Sequence, residues 1–258
     1  MKSVPNKGYG CFALKSIPRG TRILADEPLI YVKEQAYYRA DIEREFEKLS
    51  AADKKLFFSL YSAHNQDPDA WPKEIHETVS SRERQRIQEQ QEARFSDKPT
   101  VTSIFQTNCM PKDTGAAVFP HASRFNHSCN PNATFTWNPA IGKETIHAVR
   151  DIKPGEEITL AYCDIIHSKP LRKWELKHYG FTCDCPACDA TDPWAEKSAE
   201  RRAEIGDLER ETEFLSNMRE ESALLSRQYL TMIKLLIEEE TTRRGWLQRR
   251  CSLSNGVV

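Results

Sequence analysis

The sequence predicts a β-rich α+β domain followed by a helical tail. Short apolar stretches separated by turn residues occupy residues 8–32 and return after Pro99, as strands do. Between these regions the apolar residues change to helical spacing, as at Ile42 and Phe46. Residues 194–250 contain no proline and carry one apolar stripe, which is typical of long helices. Strands and helices segregated along the chain in this way indicate the α+β class.

Composition narrows the class of protein further. The chain has 258 residues and a formal net charge of −1, so it can hold one domain with an appendage, and direct nucleic-acid binding is not expected. The sequence has neither a run of eighteen apolar residues nor an apolar signal-peptide core, so we expect no membrane association and an intracellular protein, in the nucleus or the cytoplasm. In that setting eight cysteines favour free thiols or metal binding over disulfides.

Local signals define the elements of the first part of the chain. A run from residue 9 to 17 and the segments 22–25 and 29–32 are predicted strands. A helical insert is predicted at 33–98, and its second helix begins at Ser50, because Asp53 follows three residues later. The polar stretch within it, from Ser80 to Arg94, predicts a solvated helix or a mobile loop with no functional site.

The later elements follow the same rules. Residues 133–138 and 145–151 predict a hairpin, and a Pro-Gly turn leads into a strand from Ile158 to Tyr162. Residues 193–258 are predicted as one long helix or two consecutive helices that pack against the domain, with a coiled coil or a partner-binding helix as the alternative. The apolar stripe consists of Ile205, Leu208, Leu215, Met218, Leu225, Tyr229, Met232 and Leu236.

Three cysteines form a Cys-x-Cys-x-x-Cys motif, from Cys183 to Cys188. A structural zinc site needs four ligands in a tetrahedron, so a distant residue must complete this one. Cys129 is favoured because it lies in another polar motif, and Cys163 and His178 remain alternatives. Three thiols without any metal are the plainer interpretation of the motif, which the close spacing disfavours.

Three motifs occur in a fixed order along the chain. Asn-His-Ser-Cys-Asn-Pro-Asn begins at Asn126, Gly-Glu-Glu-Ile-Thr-Leu-Ala-Tyr ends at Tyr162, and Tyr-Gly-Phe-Thr-Cys begins at Tyr179. Together with Asn-Lys-Gly-Tyr-Gly-Cys-Phe-Ala at the start of the chain, this series resembles the SET-domain protein lysine methyltransferases. The resemblance implies a β-rich SET fold with a β-clip and a pseudoknot, in which the segment after Tyr162 passes beneath the loop at Asn126.

The resemblance also implies domain limits and a chemistry. It implies a SET domain at 1–163, a zinc-binding post-SET segment at 164–192 and a helical tail at 193–258. It further implies S-adenosylmethionine as the methyl donor, structural zinc, and a protein substrate that presents a lysine, such as a histone tail. Tyr162 is implied as the catalytic residue, because a phenol can orient an uncharged amine without forming a salt bridge that would hold the lysine protonated.

Particular residues take roles only through this resemblance. The zinc ligands would be Cys129, Cys183, Cys185 and Cys188. The cofactor-binding residues would be Lys7, Gly8, Tyr9, Asn108, Ser123, Phe125, Asn126, His127, Tyr162, Tyr179 and Phe181.

The resemblance is greatest to the SET-and-MYND group, although residues 33–95 contain no cysteine and therefore no MYND zinc finger. Met110 stands where that group has an aromatic residue, which leaves the methylation state of the product open. The substrate protein and the oligomeric state also stay open. A catalytically silent SET module that mediates protein–protein interaction is the alternative function, and a zinc-finger nucleic-acid binder is a weaker one.

Overall fold

The protein contains three small antiparallel sheets and seven α-helices within the part of the chain that the structure describes. The structure is a computed structural model, and it describes residues 1–5, 7–34, 36–217 and 222–238. The strands are β1 Lys2–Val4, β2 Gly8–Phe12, β3 Arg22–Asp26, β4 Ile30–Val32, β5 Cys109–Lys112, β6 Gly115–Val118, β7 Ala133–Asn138, β8 Lys143–Ala148 and β9 Glu157–Ile158. The helices are α1 Arg39–Glu47, α2 Ala51–Phe58, α3 Ser81–Phe95, α4 Val101–Asn108, α5 Lys169–Lys177, α6 Pro193–Asn217 and α7 Ser222–Glu238.

Each sheet has three strands, in the orders β1-β2-β9, β3-β8-β7 and β4-β6-β5. The predicted hairpin forms between β7 and β8, where Thr136 pairs with Thr145. One apolar cluster joins the sheets, and its centre includes the buried residues Phe119, Ile146 and Leu160. Burying this shared cluster is what stabilises three sheets that are each too small to be stable alone.

The helical insert forms as predicted. Helices α1 to α3 lie between β4 and α4, and Phe46 and Phe57 are buried with Phe105 of α4 in a second apolar cluster. The hydroxyl of Ser50 accepts a hydrogen bond from the Asp53 backbone N–H at 3.1 Å, which confirms the predicted start of α2. The polar stretch that begins at Ser80 is a helix, α3, in agreement with the first of its two interpretations.

Strands return after Pro99 as predicted, but only from Cys109, because residues 101–108 form a helix, α4, that was not predicted. The Thr100 hydroxyl accepts from the Ser103 N–H at 2.9 Å, while the Ser103 hydroxyl accepts from the Thr100 N–H at 2.8 Å. This reciprocal cap satisfies two amides at the start of the helix. The apolar side chains of this helix, such as Ile104, face the apolar cluster that α4 shares with the insert.

The predicted strand from Ile158 to Tyr162 is also shorter than expected. Strand β9 ends at Ile158, and the chain beyond it leaves the sheet to pair with another loop, so that Leu160 forms a parallel bridge with His127. The predicted first strand is interrupted similarly. Strand β2 ends at Phe12, Ala13 still bonds to the backbone of Gly155 and Glu156, and the next bridge is at Ile17.

The tail contains α6 and α7, two helices that contact each other. Ile205 of α6 is completely buried against Ile165 and Ile166, so the tail packs on the preceding domain through this residue. Residues 218–221 and 239–258 lie outside the described residues, as does Met218 of the predicted stripe. None of the described helices combines the length and the apolar character needed to cross a membrane.

Glu144 gives the fold a testable dependence on pH. Its side chain is 0% exposed, lies opposite Asp26 in the β3–β8 pair, and has no hydrogen-bond partner for either carboxyl oxygen. Burial, with a smaller contribution from the charge of Asp26, raises the pKa of Glu144 to about 8. An acid whose pKa is raised by folding favours the folded state most at low pH, and this contribution is lost as the pH rises towards 8.

We therefore expect Glu144→Gln to flatten the pH dependence of the free energy of unfolding between pH 5 and pH 8. The wild-type value should fall by up to about 1.4 kcal/mol per pH unit more steeply than that of the variant. Urea unfolding at several pH values measures both slopes. Glu27→Gln is the matched control, because Glu27 is an exposed partner of Lys143 on the same sheet. Equal slopes in wild type and Glu144→Gln would contradict the buried, protonated carboxyl.

Candidate functional site

The site is organised by the pairing of two loops that are distant in sequence. The Leu160 N–H donates to the Asn126 carbonyl at 2.9 Å, and the Ser128 N–H donates to the Leu160 carbonyl at 3.0 Å. This short parallel ladder places the first sequence motif beside the end of the second. The prediction placed the segment after Tyr162 beneath the Asn126 loop, whereas these two bonds join that loop to Leu160, directly before Tyr162.

Asn132 fixes this pairing from within the fold, a role that the sequence analysis did not assign. Its side-chain amide donates to the Glu157 carbonyl at 2.7 Å, and its side-chain oxygen accepts from the Thr159 N–H at 2.9 Å. Asn132 is 1% exposed, so both bonds are shielded from water. The sequence feature that could have revealed this role is the second asparagine of Asn-Pro-Asn. A buried side-chain amide must find hydrogen-bond partners, and here the backbone provides them.

Tyr162 is held at both its backbone and its hydroxyl. Its N–H donates to Nδ1 of His127 at 2.9 Å, and its hydroxyl donates to the Phe125 carbonyl at 2.5 Å. Burial raises the pKa of Tyr162, and the nearby charges of Glu157 and Cys11 raise it further. The phenol therefore stays neutral at physiological pH and can act as an oriented dipole.

Two further predicted residues join Tyr162 in an aromatic wall. The ring centroid of Tyr179 lies 4.8 Å from that of Tyr162, and the Phe181 centroid lies 6.4 Å from it. Phe181 also lies 6.0 Å from the ring of His127. The structure thus brings together four of the residues that the sequence singled out, from three segments of the chain, the first and last of which are about fifty positions apart.

The glycine-containing opening of the chain approaches the same place. A Cβ atom on Gly10 would lie only 2.1 Å from Oε1 of Glu157, so a larger residue there would displace the Glu157 carboxylate from its present position. The Asn126 side-chain amide donates to the same Glu157 oxygen at 2.8 Å and reaches the Tyr9 carbonyl at 3.4 Å. Glu157 is the second residue that the sequence analysis missed, although it lies within the second motif. Gly8 has a positive φ of 71° and open space around it.

Lys7 pairs with the thiol-rich loop. Its ammonium lies 2.6 Å from a carboxylate oxygen of Asp184, which neighbours Cys183. Burial acts to lower the pKa of Lys7, but the hydrogen bond and charge of Asp184 outweigh it, and the pKa is raised. Lys7 is one of the residues that the resemblance assigns to the cofactor, and in this structure its ammonium links the start of the chain to the loop that carries the thiols.

Asn108 and Ser123 have partners within the fold. The Asn108 amide donates to the carbonyls of Tyr61 and Ile104, both at 2.7 Å, and the residue is 6% exposed. The Ser123 hydroxyl donates to the Phe119 carbonyl at 2.8 Å. These side chains therefore stabilise the end of α4 and the turn before the Asn126 loop, and the carbonyl oxygen of the Asn108 amide is left for any other partner.

The four predicted thiols lie together. The Sγ atoms of Cys129, Cys183, Cys185 and Cys188 are all within 4.8 Å of one another. Sulfurs at about 2.3 Å from a tetrahedral ion are about 3.8 Å apart. The separations from Cys129 to Cys188, 3.5 Å, and to Cys183, 4.0 Å, lie on either side of that value. The donor set therefore fits a tetrahedral metal ion.

Two buried arginines surround this thiol cluster, and the sequence analysis assigned neither. Arg172 of α5 is 2% exposed and places Nη2 3.8 Å from Cys188 Sγ and 3.2 Å from the Ala187 carbonyl. Arg202 of α6 is 1% exposed and donates to the Cys129 carbonyl at 2.9 Å. Four thiolates around a divalent ion carry two excess negative charges, which buried guanidinium groups help to balance.

The structure also separates the two alternative ligands. His178 lies outside the cluster: its Nδ1 bonds to Arg94 at 2.8 Å, and its ring packs on Trp71 with centroids 4.8 Å apart. Cys163 lies close to the cluster, in a second possible group with His127 and Cys129 whose ligand atoms are within 4.8 Å of one another.

Comparison with known proteins identifies the family. The family model of the SET domain matches residues 8–163, and the chain therefore belongs to the SET-domain family. It is 32% identical over 200 residues to the histone-lysine N-methyltransferase set5 of Schizosaccharomyces pombe, a match that covers 77% of this chain and 53% of that protein.

More distant relatives belong to the SET-and-MYND group. The human N-lysine methyltransferase SMYD2 is 33% identical over 108 residues, which cover 38% of this chain and 24% of SMYD2. The chain thus spans about half or less of the length of these two relatives. A solved structure of Rubisco LSMT bound to AdoMet aligns with 80% of this chain and 57% of its own, with 17% identity and a TM-score of 0.43.

The thiol cluster makes a direct prediction about metal. Cys185→Ser should lower the amount of metal that copurifies with the protein, because a hydroxyl is a poor substitute for one of four thiolates, and should lower the melting temperature. Elemental mass spectrometry and thermal unfolding measure the two effects. Cys163→Ala is the matched control, because it removes a neighbouring buried thiol outside the set of four. Full metal content in Cys185→Ser would contradict the assignment.

Proposed function

We propose that the protein transfers a methyl group from S-adenosylmethionine to the side-chain amine of a lysine in a protein substrate. The observation that carries the proposal is the position of the neutral Tyr162 phenol, which lies between the Asn126 loop and the aromatic wall of Tyr179 and Phe181. Family membership and the lysine methyltransferase names of the relatives support it.

The chemistry requires an uncharged amine in line with the methyl group. The bound cofactor would supply a sulfonium methyl, so that the new N–C bond forms as the S–C bond breaks, and the amine then loses a proton to water. Tyr162 cannot be the base that accepts this proton, because only a phenolate could do so and the raised pKa of Tyr162 keeps its hydroxyl protonated. Its contribution would be to orient the amine, and orientation alone can supply several kcal/mol of an in-line displacement barrier.

The residues around Tyr162 fit such a cofactor. Phe181 would provide a face for adenine, while the Asn126 loop and the open backbone at Gly8 would hold the amino-acid end. Because the Lys7 ammonium already pairs with Asp184, a cofactor carboxylate would have to share Lys7 with Asp184 or displace Asp184 from it. The assigned side chains would bind and orient the cofactor and exclude water.

We also propose that the ion held by the four thiols is structural zinc. Four thiolates at tetrahedral spacing and no open coordination position are typical of structural zinc sites. Zinc would join the Cys183–Cys188 loop to Cys129 and thereby hold the aromatic wall in place. The substrate could be a histone, as the name of the set5 relative suggests, or a non-histone protein; the first would place the reaction in the nucleus and the second would allow the cytoplasm.

Incubation with S-adenosylmethionine carrying a labelled methyl group tests the proposal. We expect label on lysine side chains of histones or of proteins in a cell extract, located by mass spectrometry. Calorimetric binding of S-adenosylmethionine without label transfer to any protein would favour the alternative, a catalytically silent interaction module. The absence of both binding and transfer would reject the proposal.

Tyr162→Phe tests the catalytic role. The variant should lose about 10²-fold in kcat, the size typical for one oriented polar group in an active site, because the ring remains and only the hydroxyl is lost. Affinity for S-adenosylmethionine should change little. Steady-state kinetics and calorimetry measure the two effects, and Tyr31→Phe, on strand β4, is the matched control. An unchanged kcat in Tyr162→Phe would remove the residue from the mechanism.

Asn126→Ala tests the cofactor-binding loop. The substitution removes the amide that joins Glu157 to the β2 backbone, so affinity for S-adenosylmethionine should fall about tenfold, equivalent to one hydrogen bond. Calorimetry measures this change. Asn138→Ala, at the hairpin end of β7, is the control and should bind normally. Normal cofactor binding by Asn126→Ala would exclude the loop from the site.

A further inference from the structure

His127 lies between the catalytic candidate and the thiol cluster. The residue is 2% exposed. One ring nitrogen, Nδ1, accepts the Tyr162 backbone N–H at 2.9 Å. The other, Nε2, lies 3.2 Å from the sulfur of Cys129. One imidazole therefore touches both the Tyr162 backbone and one of the four metal-binding thiols.

The first of these contacts fixes the position of the ring proton. A backbone N–H can only donate, so Nδ1 must present a lone pair to Tyr162 and carries no hydrogen. A neutral imidazole has its hydrogen on the other nitrogen, which here is Nε2. The contact to Cys129 is therefore an N–H donated to sulfur, and it becomes charge-assisted when that sulfur is a thiolate.

The same reasoning decides between the two possible metal groups. A histidine that ligates a metal through one nitrogen usually donates an N–H from the other to an acceptor. In His127 the nitrogen remote from the cysteines faces a donor, the Tyr162 N–H. If Nε2 bound a metal ion, the ring hydrogen of a neutral imidazole would lie on Nδ1. Nδ1–H and the Tyr162 N–H would then be two donors facing each other, or the bond to Tyr162 would be lost. The group of His127, Cys129 and Cys163 is thus disfavoured as a ligand set.

We propose that His127 is a positioning residue that couples the metal-thiolate cluster to Tyr162, by donating from Nε2 to Cys129 while accepting the Tyr162 backbone N–H at Nδ1. This inference rests on both earlier proposals: its catalytic half on the methyl transfer and its metal half on the ion held by the four thiols. The ring also lies 5.4 Å from the Tyr162 ring and 6.0 Å from the Phe181 ring, between centroids. A change in its orientation would therefore move the catalytic phenol and the aromatic wall together.

Two substitutions separate the two halves of the coupling. The side-chain oxygen of His127→Asn can reach the position of Nδ1 and accept the Tyr162 N–H, but it leaves Cys129 without its donor. The amide nitrogen of His127→Gln can reach the position of Nε2 and donate to sulfur, but it leaves the Tyr162 N–H without its acceptor. The two variants should therefore have opposite defects.

The metal half is measured without any methyl transfer. With Co²⁺ in place of zinc, the sulfur-to-cobalt charge-transfer band should shift in His127→Asn and stay near the wild-type position in His127→Gln. Affinity for Zn²⁺, in competition with a chromogenic chelator, should fall 10- to 100-fold in His127→Asn, the range typical for loss of a partner of a metal ligand. Cys109→Ala should keep both properties, since Cys109 lies outside the cluster and contacts Tyr37. Cys163→Ala should still bind the metal, because Cys163 is not among the four assigned ligands.

The catalytic half is measured by kinetics. His127→Gln should lower kcat more than His127→Asn does, with a smaller change in KM for S-adenosylmethionine than in kcat. Equal losses of metal affinity and of kcat in the two variants would reduce His127 to a packing role and overturn the proposal. Metal loss in Cys163→Ala would overturn the assignment of ligands. If wild-type protein transferred no methyl group, the cobalt spectra would still test the bond to Cys129.

Discussion

The pairing of Asn126–Ser128 with Leu160 is the constraint on which the site depends. Only two backbone hydrogen bonds form it, but they bring Cys129 and Tyr162 into one place. Such a short ladder has little stability of its own, and Asn132 secures it by bonding to the backbone on either side of Ile158. The cost of ordering both loops is offset because Leu160 is buried in the apolar cluster that joins the sheets.

The thiol-rich loop depends on contacts from outside itself. Residues 181–188 form neither helix nor strand and bury few apolar side chains, so the loop lacks an apolar core of its own. Three kinds of contact take the place of such a core. They are the thiol cluster with Cys129, the guanidinium of Arg172 and the pair between Lys7 and Asp184. A metal ion would add the largest of these terms, because its binding energy is available only when all four thiols meet.

Features with local causes could be predicted from the sequence, and features with distant causes could not. The Ser50 cap and the Cys-x-Cys-x-x-Cys spacing express contacts within a few residues, and both were found. Helix α4 was missed because its reciprocal cap has Ser103 in place of the Glu or Gln of the usual capping box, so the local sequence signal is weak. Glu157 and Arg202 were missed because their partners, Asn126 and Cys129, are 31 and 73 positions away. The grouping of Tyr162 with the thiols was expected only because a family resemblance supplied the long-range information.

The helical insert supports the site as well as extending the fold. The turn between Tyr179 and Phe181 contains Gly180, with a φ of 75°, where an added Cβ would lie 3.5 Å from the Tyr61 hydroxyl of the insert. Beside this turn, burial and the charges of Arg94 and Lys177 lower the pKa of His178 to about 4. His178 is therefore neutral at physiological pH and can accept the hydrogen bond from Arg94 of α3 at 2.8 Å. Because this bond ties α3 to the residue directly before Tyr179, the insert also restrains the aromatic wall.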